Sequence, residues 1–300
     1  MSKKLKEYTL KPIDLKKEKI KISYSKINMF KDCPGKYYFR YLTDLDIKQT
    51  IWPGNVFGQA LHKTVEDAII MKNDEVNNKI IIKNITDSFE KHFFKEQQHA
   101  IEKKLWKKNR YYDEAKILRY GKKLSINTVE FILKYFSEYD IQTEQDYNVS
   151  WDYDKDIEIN GIIDLELKKE PLIIIGDLKT TKDSNNFYFV DWDNNIQKIM
   201  YDYIIYKQYK VLPTLFTYII INTEDRIIFL KEYFNKDTNN LKKYFEILDY
   251  YISILKKFTL KPLLEYCTPE EIKCKWCEYN KYCNYKYESL LIKKLRRNKK

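Results

Sequence analysis

Two runs of aliphatic and β-branched residues, Gly161–Leu167 and Leu172–Leu178, flank the polar, proline-containing segment Lys168–Pro171. Such runs favour extended chain, and the turn chemistry between them predicts a β-hairpin or two adjacent strands. The pair constrains the fold strongly because each run holds charge where a buried strand should hold none. Asp164 sits inside the first, and Asp177 and Lys179 close the second. Side chains alternate along a strand, so Asp177 and Lys179 point to one face and Leu178 to the other. Two acids and a lysine converging at the end of a sheet are costly to desolvate without a counter-charge. A divalent metal together with a phosphate substrate would supply that charge.

Phosphodiester hydrolysis needs a cation that acidifies a water and stabilises developing charge. Hard cations such as Mg²⁺ take oxygen ligands, and two carboxylates plus a substrate phosphate satisfy them. A neighbouring lysine can orient or deprotonate the attacking water, or neutralise the charge that develops. The plainer alternative is a structural Asp177–Lys179 ion pair at the sheet end. Gly161-x-x-Asp164 on the preceding strand moves the functional reading ahead of it.

Helical signals precede this hairpin. Ser25 is a good N-cap for a first helix, Pro34 and Gly35 break it, and an aromatic-rich helix resumes at Lys36. Gly54 to Gly58 reads as a loop leading into a helix over 59–72, with Leu61, Val65, Ala68 and Ile69 as its buried stripe. His62 and Glu66 share a face of that helix. Two amphipathic helices are expected over 78–104 and 113–139, then strands over 143–153, 157–168 and 172–178. A helix over 193–210 places Gln197 and Tyr201 on one face. A hairpin over 215–222 and 226–234 precedes a long helix over 238–258. Helices, a central sheet, then more helix and sheet describe one α/β domain with a helical insertion.

The motifs occur in a familiar order. Gly-x-Ile-Asp164 followed by Ile-Gly-Asp177-Leu-Lys179-Thr resembles the core of the PD-(D/E)XK nuclease superfamily, and within it the RecB-like exonuclease branch. The segment from Ser23 through Cys33-Pro34 to Leu42 resembles that branch's N-terminal signature, Gly58-Gln-Ala-Leu-His62-Lys-Thr-Val-Glu66 its histidine helix, and Gln197-x-x-x-Tyr201 its post-core helix. The resemblance spans roughly residues 22 to 285. It implies a restriction-endonuclease-like mixed central sheet flanked by helices. It also implies that His62, Asp164 and Asp177 bind a catalytic Mg²⁺ or Mn²⁺, that Lys179 serves the attacking water, and that Gln197 and Tyr201 line the site and help hold a DNA strand. From the residues alone, a lone helical histidine is more often a satisfied core or boundary residue, and the place of His62 beside Glu66 after a glycine loop raises the odds of a functional role. Glu66 is either a carboxylate orienting His62 or a surface residue. Tyr201 is equally a core residue.

Cysteines form a second constellation. Cys274-x₂-Cys277-x₅-Cys283 places three thiols within ten residues, and Cys33 lies far upstream. Three thiols need a fourth ligand to close a tetrahedral or cubane site. Some RecB-like nucleases, of AddB type and among the CRISPR-associated adaptation exonucleases, carry an iron–sulfur cluster with one cysteine before the core and three after it. The resemblance therefore implies a [4Fe–4S] cluster on Cys33, Cys274, Cys277 and Cys283, in a C-terminal iron–sulfur tail. Spacing alone leaves Zn²⁺ open, and leaves Cys267 open as the fourth ligand.

On this basis the expected organisation is an N-terminal arm over 1–21 and a nuclease domain over 22–285. The domain holds a helical insertion over about 78–140 and a cysteine-rich segment over 267–285, and a basic tail follows over 286–300. The formal net charge of +11 suits an anionic partner such as DNA, although Lys, Ile, Asn and Tyr abundance also follows from AT-rich coding. The aromatic–basic stretches Lys36–Arg40, Arg110–Tyr112 and Tyr279–Lys286 can stack bases and contact phosphates of a single strand. No run of about eighteen apolar residues predicts a membrane span. The unexported N-terminal pattern and the odd count of five cysteines suit a reduced, cytoplasmic compartment. The expected function is metal-dependent exonucleolytic hydrolysis of single-stranded DNA ends, in repair, recombination or phage and mobile-element DNA processing. Unwinding would fall to a helicase or recombination partner, because the sequence has no Walker-type phosphate loop. A non-catalytic, iron–sulfur- or zinc-stapled nucleic-acid-binding scaffold is the alternative from a different class.

Overall fold

The computed structural model describes residues 11, 18–45, 47, 50–108, 112–182, 194–224, 228–235, 241–262 and 271–283. In chain order its elements are β1 (Ile20–Ile22), α1 (Tyr24–Asp32), α2 (Pro34–Tyr37), a π-helical turn (Tyr38–Leu42), α3 (Pro53–Asn73), α4 (Asn78–Glu102) and α5 (Glu114–Tyr135). They continue with β2 (Asp140–Ser150), β3 (Ile157–Lys169), β4 (Leu172–Thr181), α6 (Ile196–Tyr209), β5 (Leu215–Asn222), β6 (Ile228–Phe234), α7 (Leu241–Tyr244), α8 (Glu246–Leu260) and α9 (Glu271–Lys275). The strands make one mixed six-stranded sheet of order β1-β3-β4-β5-β6, with β2 also paired to β3. The chain divides into two compact units, one of Thr50–Tyr147 and Gly161–Leu241, the other of Met1–Gln49, Asn148–Asn160 and Lys242–Lys300.

The first unit carries the expected hairpin. β3 pairs antiparallel with β4 from Lys169 opposite Leu172 to Leu165 opposite Gly176. β4 then pairs parallel with β5, placing Asp177 beside Tyr218. Every residue of β5 is buried, as suits a sheet interior covered on both faces, whereas β6 is partly exposed and pairs antiparallel with β5. Leu165, Leu167, Ile174, Leu178, Ile219 and Ile221 from the strands form one core with Leu61, Val65 and Ile69 of α3, Phe89 and Phe93 of α4, and Ile132 of α5. The insertion helices are therefore part of this unit's hydrophobic core.

The sequence places α3 too short. Gly54 to Gly58 is helix rather than loop, because Pro53 stands in the first turn and the Asn55 side chain accepts a hydrogen bond from Trp52 N at 3.1 Å. Gly58 keeps its place for a packing reason: a Cβ there would lie 3.1 Å from the Thr180 Oγ1 at the end of β4. Close approach at Gly58 brings the next turn of the helix, and His62 with it, to the sheet end.

In the second unit, α1 begins two residues earlier than the Ser25 cap implies, with Ser23 Oγ accepting from Lys26 N at 3.4 Å. Cys33 separates α1 and α2 in extended conformation, and α2 starts at Pro34 rather than Lys36. These short helices pack on α8. Phe30 meets Phe258 at 5.1 Å between ring centroids, and Tyr37 shares a 2.8 Å hydroxyl hydrogen bond with Thr259. The expected arm over 1–21 contributes β1, parallel to β3; residues 1–10 and 12–17 lie outside the described residues.

Candidate active site

The strand register explains why two acids meet. One step beyond the last β3–β4 pair, Asp164 comes opposite Asp177. The Asp164 Oδ2 accepts a hydrogen bond from Leu178 N at 2.8 Å and lies 3.6 Å from His62 Nδ1. Leu178 turns into the apolar core while Asp177 and Lys179 share the other face, their Oδ2 and Nζ 2.6 Å apart. α6 closes over that face. Gln197 donates to Asp177 Oδ1 at 2.5 Å and accepts from the Tyr218 hydroxyl at 3.2 Å. Tyr201 donates to the Ile162 carbonyl at 2.7 Å. The approach of α6 needs Gly161, since a Cβ there would come within 2.6 Å of Ile204 Cδ1 and 3.3 Å of the Tyr201 ring.

The expected His62, Asp164, Asp177, Lys179, Gln197 and Tyr201 thus gather at one sheet end. Gln197 and Tyr201 are almost fully buried; Gln197 holds the Asp177 carboxylate, and Tyr201 holds the β3 backbone. Burial pushes the Tyr201 hydroxyl far above its ordinary pKa, with the Asp177 charge adding to it, so it exchanges no proton near neutrality.

Charge at the site is unbalanced. Burial pushes the Asp164 carboxyl up to about 8, and the neighbouring Asp177 charge adds to that push against the Leu178 N–H and Lys179. Burial lowers the His62 pKa against the pull of Asp177, leaving a neutral imidazole fit to bind a cation. Among the described residues the buried Asp177 Oδ2 finds no hydrogen-bond donor beyond the Lys179 ion pair at 2.6 Å. Burial alone does not single out such a group. Glu166 is fully buried, yet its carboxylate accepts from Tyr147 and Tyr209 and pairs with Lys168 at 2.7 Å. The acids at the sheet end lack that satisfaction, and neutral imidazole with hard carboxylate oxygens suits a divalent cation.

One acid at the site has no sequence signal. Glu144 on β2, with His62 and Asp164, offers donor atoms that all lie within 4.8 Å of one another. Asp177 is outside that compact group. An acid within a polar strand such as Thr143-Glu144-Gln145-Asp146 is indistinguishable from a solvated one. Beside the group lies a cavity of about 290 Å³ lined by Gly58, Gln59, His62, Lys63, Glu96 and Glu144.

The cysteines belong to the other unit. Cys33 lies near enough to Cys277 for the thiols to interact electrostatically, and burial first of all pushes the Cys277 thiol up to about 11. Their segments are joined by other contacts. Tyr279 stacks on Phe39 at 5.6 Å between centroids, Lys273 pairs with Asp32 at 3.4 Å, and Asn280 donates to the Cys274 carbonyl at 2.6 Å. Cys33, Cys274, Cys277 and Cys283 are all half-buried, and among the described residues no three of their sulfurs lie within 4.8 Å of one another. Cys267 lies outside the described residues.

This architecture, a mixed sheet flanked by helices with acids and a lysine at the strand end, matches a family model over most of the chain. The PD-(D/E)XK nuclease superfamily model covers residues 21–284, and the chain belongs to that superfamily. Its nucleases are generally metal-dependent, and a nuclease domain implies a DNA substrate. Among solved structures, one titled "Crystal structure of SSO0001" matches with a TM-score of 0.33 and 13% identity, over 87% of this chain and 93% of that one. No curated protein matches. Among the described residues, no helix is long and apolar enough to cross a membrane.

Proposed function

We propose that the chain is a RecB-like DNA exonuclease that degrades single-stranded ends with Mg²⁺ or Mn²⁺. The observation that carries this reading is the Asp177 carboxylate, buried, held by Gln197, contacted by Lys179 and standing beside Asp164 and His62. His62, Asp164 and Asp177 would hold the cation. Once bound, the cation would acidify a water and stabilise the charge of the displaced phosphodiester. Lys179 orients that water and receives or offsets its proton. Gln197 keeps Asp177 from turning away, and Tyr201 keeps α6 docked on β3; both are positioning residues.

In the second unit, Cys33, Cys274, Cys277 and Cys283 are the ligands proposed for a [4Fe–4S] cluster. Cys33 lies near Cys277 and all four thiols are half-buried, which supports a shared site. The cluster acts as a staple between the first helices and the cysteine segment. The proposed organisation is one nuclease domain over 22–285 with a helical insertion over 78–140 and a basic tail over 286–300, working in repair, recombination or mobile-element DNA processing with a separate helicase.

Two measurements test the proposal. Mn²⁺-dependent degradation of linear single-stranded DNA, with closed circular single strands left intact, is expected; equal cleavage of the circle would replace the exonuclease reading with an endonuclease. Anaerobically purified protein is expected to be brown with broad visible absorbance, and colourless protein holding stoichiometric zinc would replace the iron–sulfur reading.

A further inference from the structure

β2 places a side chain where regular strand geometry would not. From Gln145 to Ser150 the strand alternates, with residues 145, 147 and 149 half-buried and 146, 148 and 150 exposed. Extended backward, that alternation turns Glu144 outward with Asp146. Glu144 instead is half-buried and has φ of 49°, in the left-handed region that disfavours any residue but glycine. Such backbone conformations persist where surrounding structure imposes them, and they gather at functional sites. Here the departure carries the Glu144 carboxylate to within 4.8 Å of donor atoms on His62 and Asp164.

A second observation concerns its neighbour. Lys63, next to His62 on α3, holds its ammonium 3.7 Å from Glu144 and 2.7 Å from Glu66. The Glu144 contact is too long for a hydrogen bond, and Lys63 is substantially exposed. Lys63 therefore sits as a loosely held counter-charge at the mouth of the cavity, with Glu66 as its firmer partner. A divalent cation between His62, Asp164 and Glu144 would take over the Glu144 contact.

We propose that Glu144 is a further ligand of the cation site, and that Lys63 is its replaceable counter-charge when no cation is bound. The proposal rests on the metal-dependent nuclease reading and adds a carboxylate to the His62, Asp164 and Asp177 set. A third carboxylate suits a hard cation such as Mg²⁺ or Mn²⁺, which binds through several oxygens. On cation binding, Lys63 is left paired to Glu66 and available to a phosphate oxygen of a strand lying in the cavity.

The test is Mn²⁺ binding, followed by calorimetry and by the loss of the free-ion electron paramagnetic signal, with no DNA present. Folding of each variant is checked by circular dichroism. Glu144→Gln is expected to weaken Mn²⁺ binding at least about tenfold, and Glu144→Asp, which keeps the charge, to weaken it less. Lys63→Met is expected to tighten binding several-fold by removing the competitor. Wild-type affinity in Glu144→Gln together with lost binding in Asp164→Asn would overturn the Glu144 assignment and leave the nuclease site standing. Wild-type affinity in both variants would overturn the site itself. Weaker binding in Lys63→Met would make Glu144 a structural partner of Lys63 and overturn the exchange.

Discussion

The acidic site and the cysteine cluster stand on different scaffolds. Asp164, Asp177 and Lys179 project from paired strands whose register fixes them; Gln197 of α6 holds Asp177 and is itself met by Tyr218 of β5, while Tyr201 ties α6 to the Ile162 carbonyl. The cysteines lie on a helix junction, a five-residue helix and turns, joined by an aromatic stack and one ion pair between exposed side chains. One cluster is shaped before any ligand arrives. On the proposed iron–sulfur reading the other would depend for its order on what the thiols hold, as a cluster that completes a fold differs from a cation that serves chemistry. Removing ligands should therefore cost activity in the first region and stability in the second.

The largest expected effect is on chemistry. Lys179→Met should lower the rate of Mn²⁺-dependent DNA cleavage by roughly 10²–10⁴-fold, the contribution of a positioned proton-handling group, with Mn²⁺ affinity changed only a few-fold. Loss of rate and affinity together would make Lys179 a structural counter-ion of Asp177. Next, Cys283→Ala should lower the thermal midpoint by roughly 5–10 °C, as a loss of about 2–3 kcal/mol does in a chain of this size, while cleavage per folded molecule is kept. Unchanged thermal stability would show that the cysteine segment needs no ligand.

Gly161→Ala probes the first scaffold without touching a charged group. Its Cβ must displace Ile204 and crowd the Tyr201 ring, so a cost of about 1–2 kcal/mol is expected in chemical denaturation. Cleavage should fall about tenfold as α6 lifts from Asp177, in keeping with the rate sensitivity to small misplacements. Full activity would mean that Tyr201 and Gln197 do not position the site. The smallest effect is expected at Lys256, which reaches Asp154 at 2.6 Å and Asp156 at 2.9 Å in the second unit. Burial acts to raise the Asp154 carboxyl, and the Lys256 hydrogen bond, the Asp156 N–H and the nearby lysine charges together outweigh it, so the folded value lies below the ordinary one. A carboxylate held low adds stability above its unfolded pKa and loses it as pH falls through the folded value. Lys256→Met should thus cost a few tenths of a kcal/mol near neutrality, and the difference from wild type should vanish in acid. A difference that persists in acid would point to packing rather than charge.

Much of this was legible in the sequence for physical reasons. β-Branched runs with a turn between them located β3 and β4, and helical periodicity located α3, α4 and α5 to within a few residues except at the α3 start; the single long helix expected over 238–258 is instead α7 and α8, separated at Phe245. Asp177 and Lys179 stood out because charge at the end of an apolar strand is costly. Glu144 did not, since only its left-handed backbone turns it inward, and no residue type at that position announces such a conformation. Glu166 teaches the converse: an acid inside an apolar run can be satisfied by two tyrosines and a lysine that sequence spacing does not connect to it.

The central claim is that the Asp177 carboxylate, held by Gln197 and contacted by Lys179, belongs to a cation-dependent hydrolytic site. It is tested most directly by end-labelled single-stranded DNA incubated with wild type and Asp177→Asn, both folded, with Mn²⁺ and then with excess chelator. Wild type should degrade the strand, chelator should stop it, and Asp177→Asn should lose at least about a hundredfold in rate. Equal degradation by the two proteins, or degradation indifferent to chelator, would contradict the account.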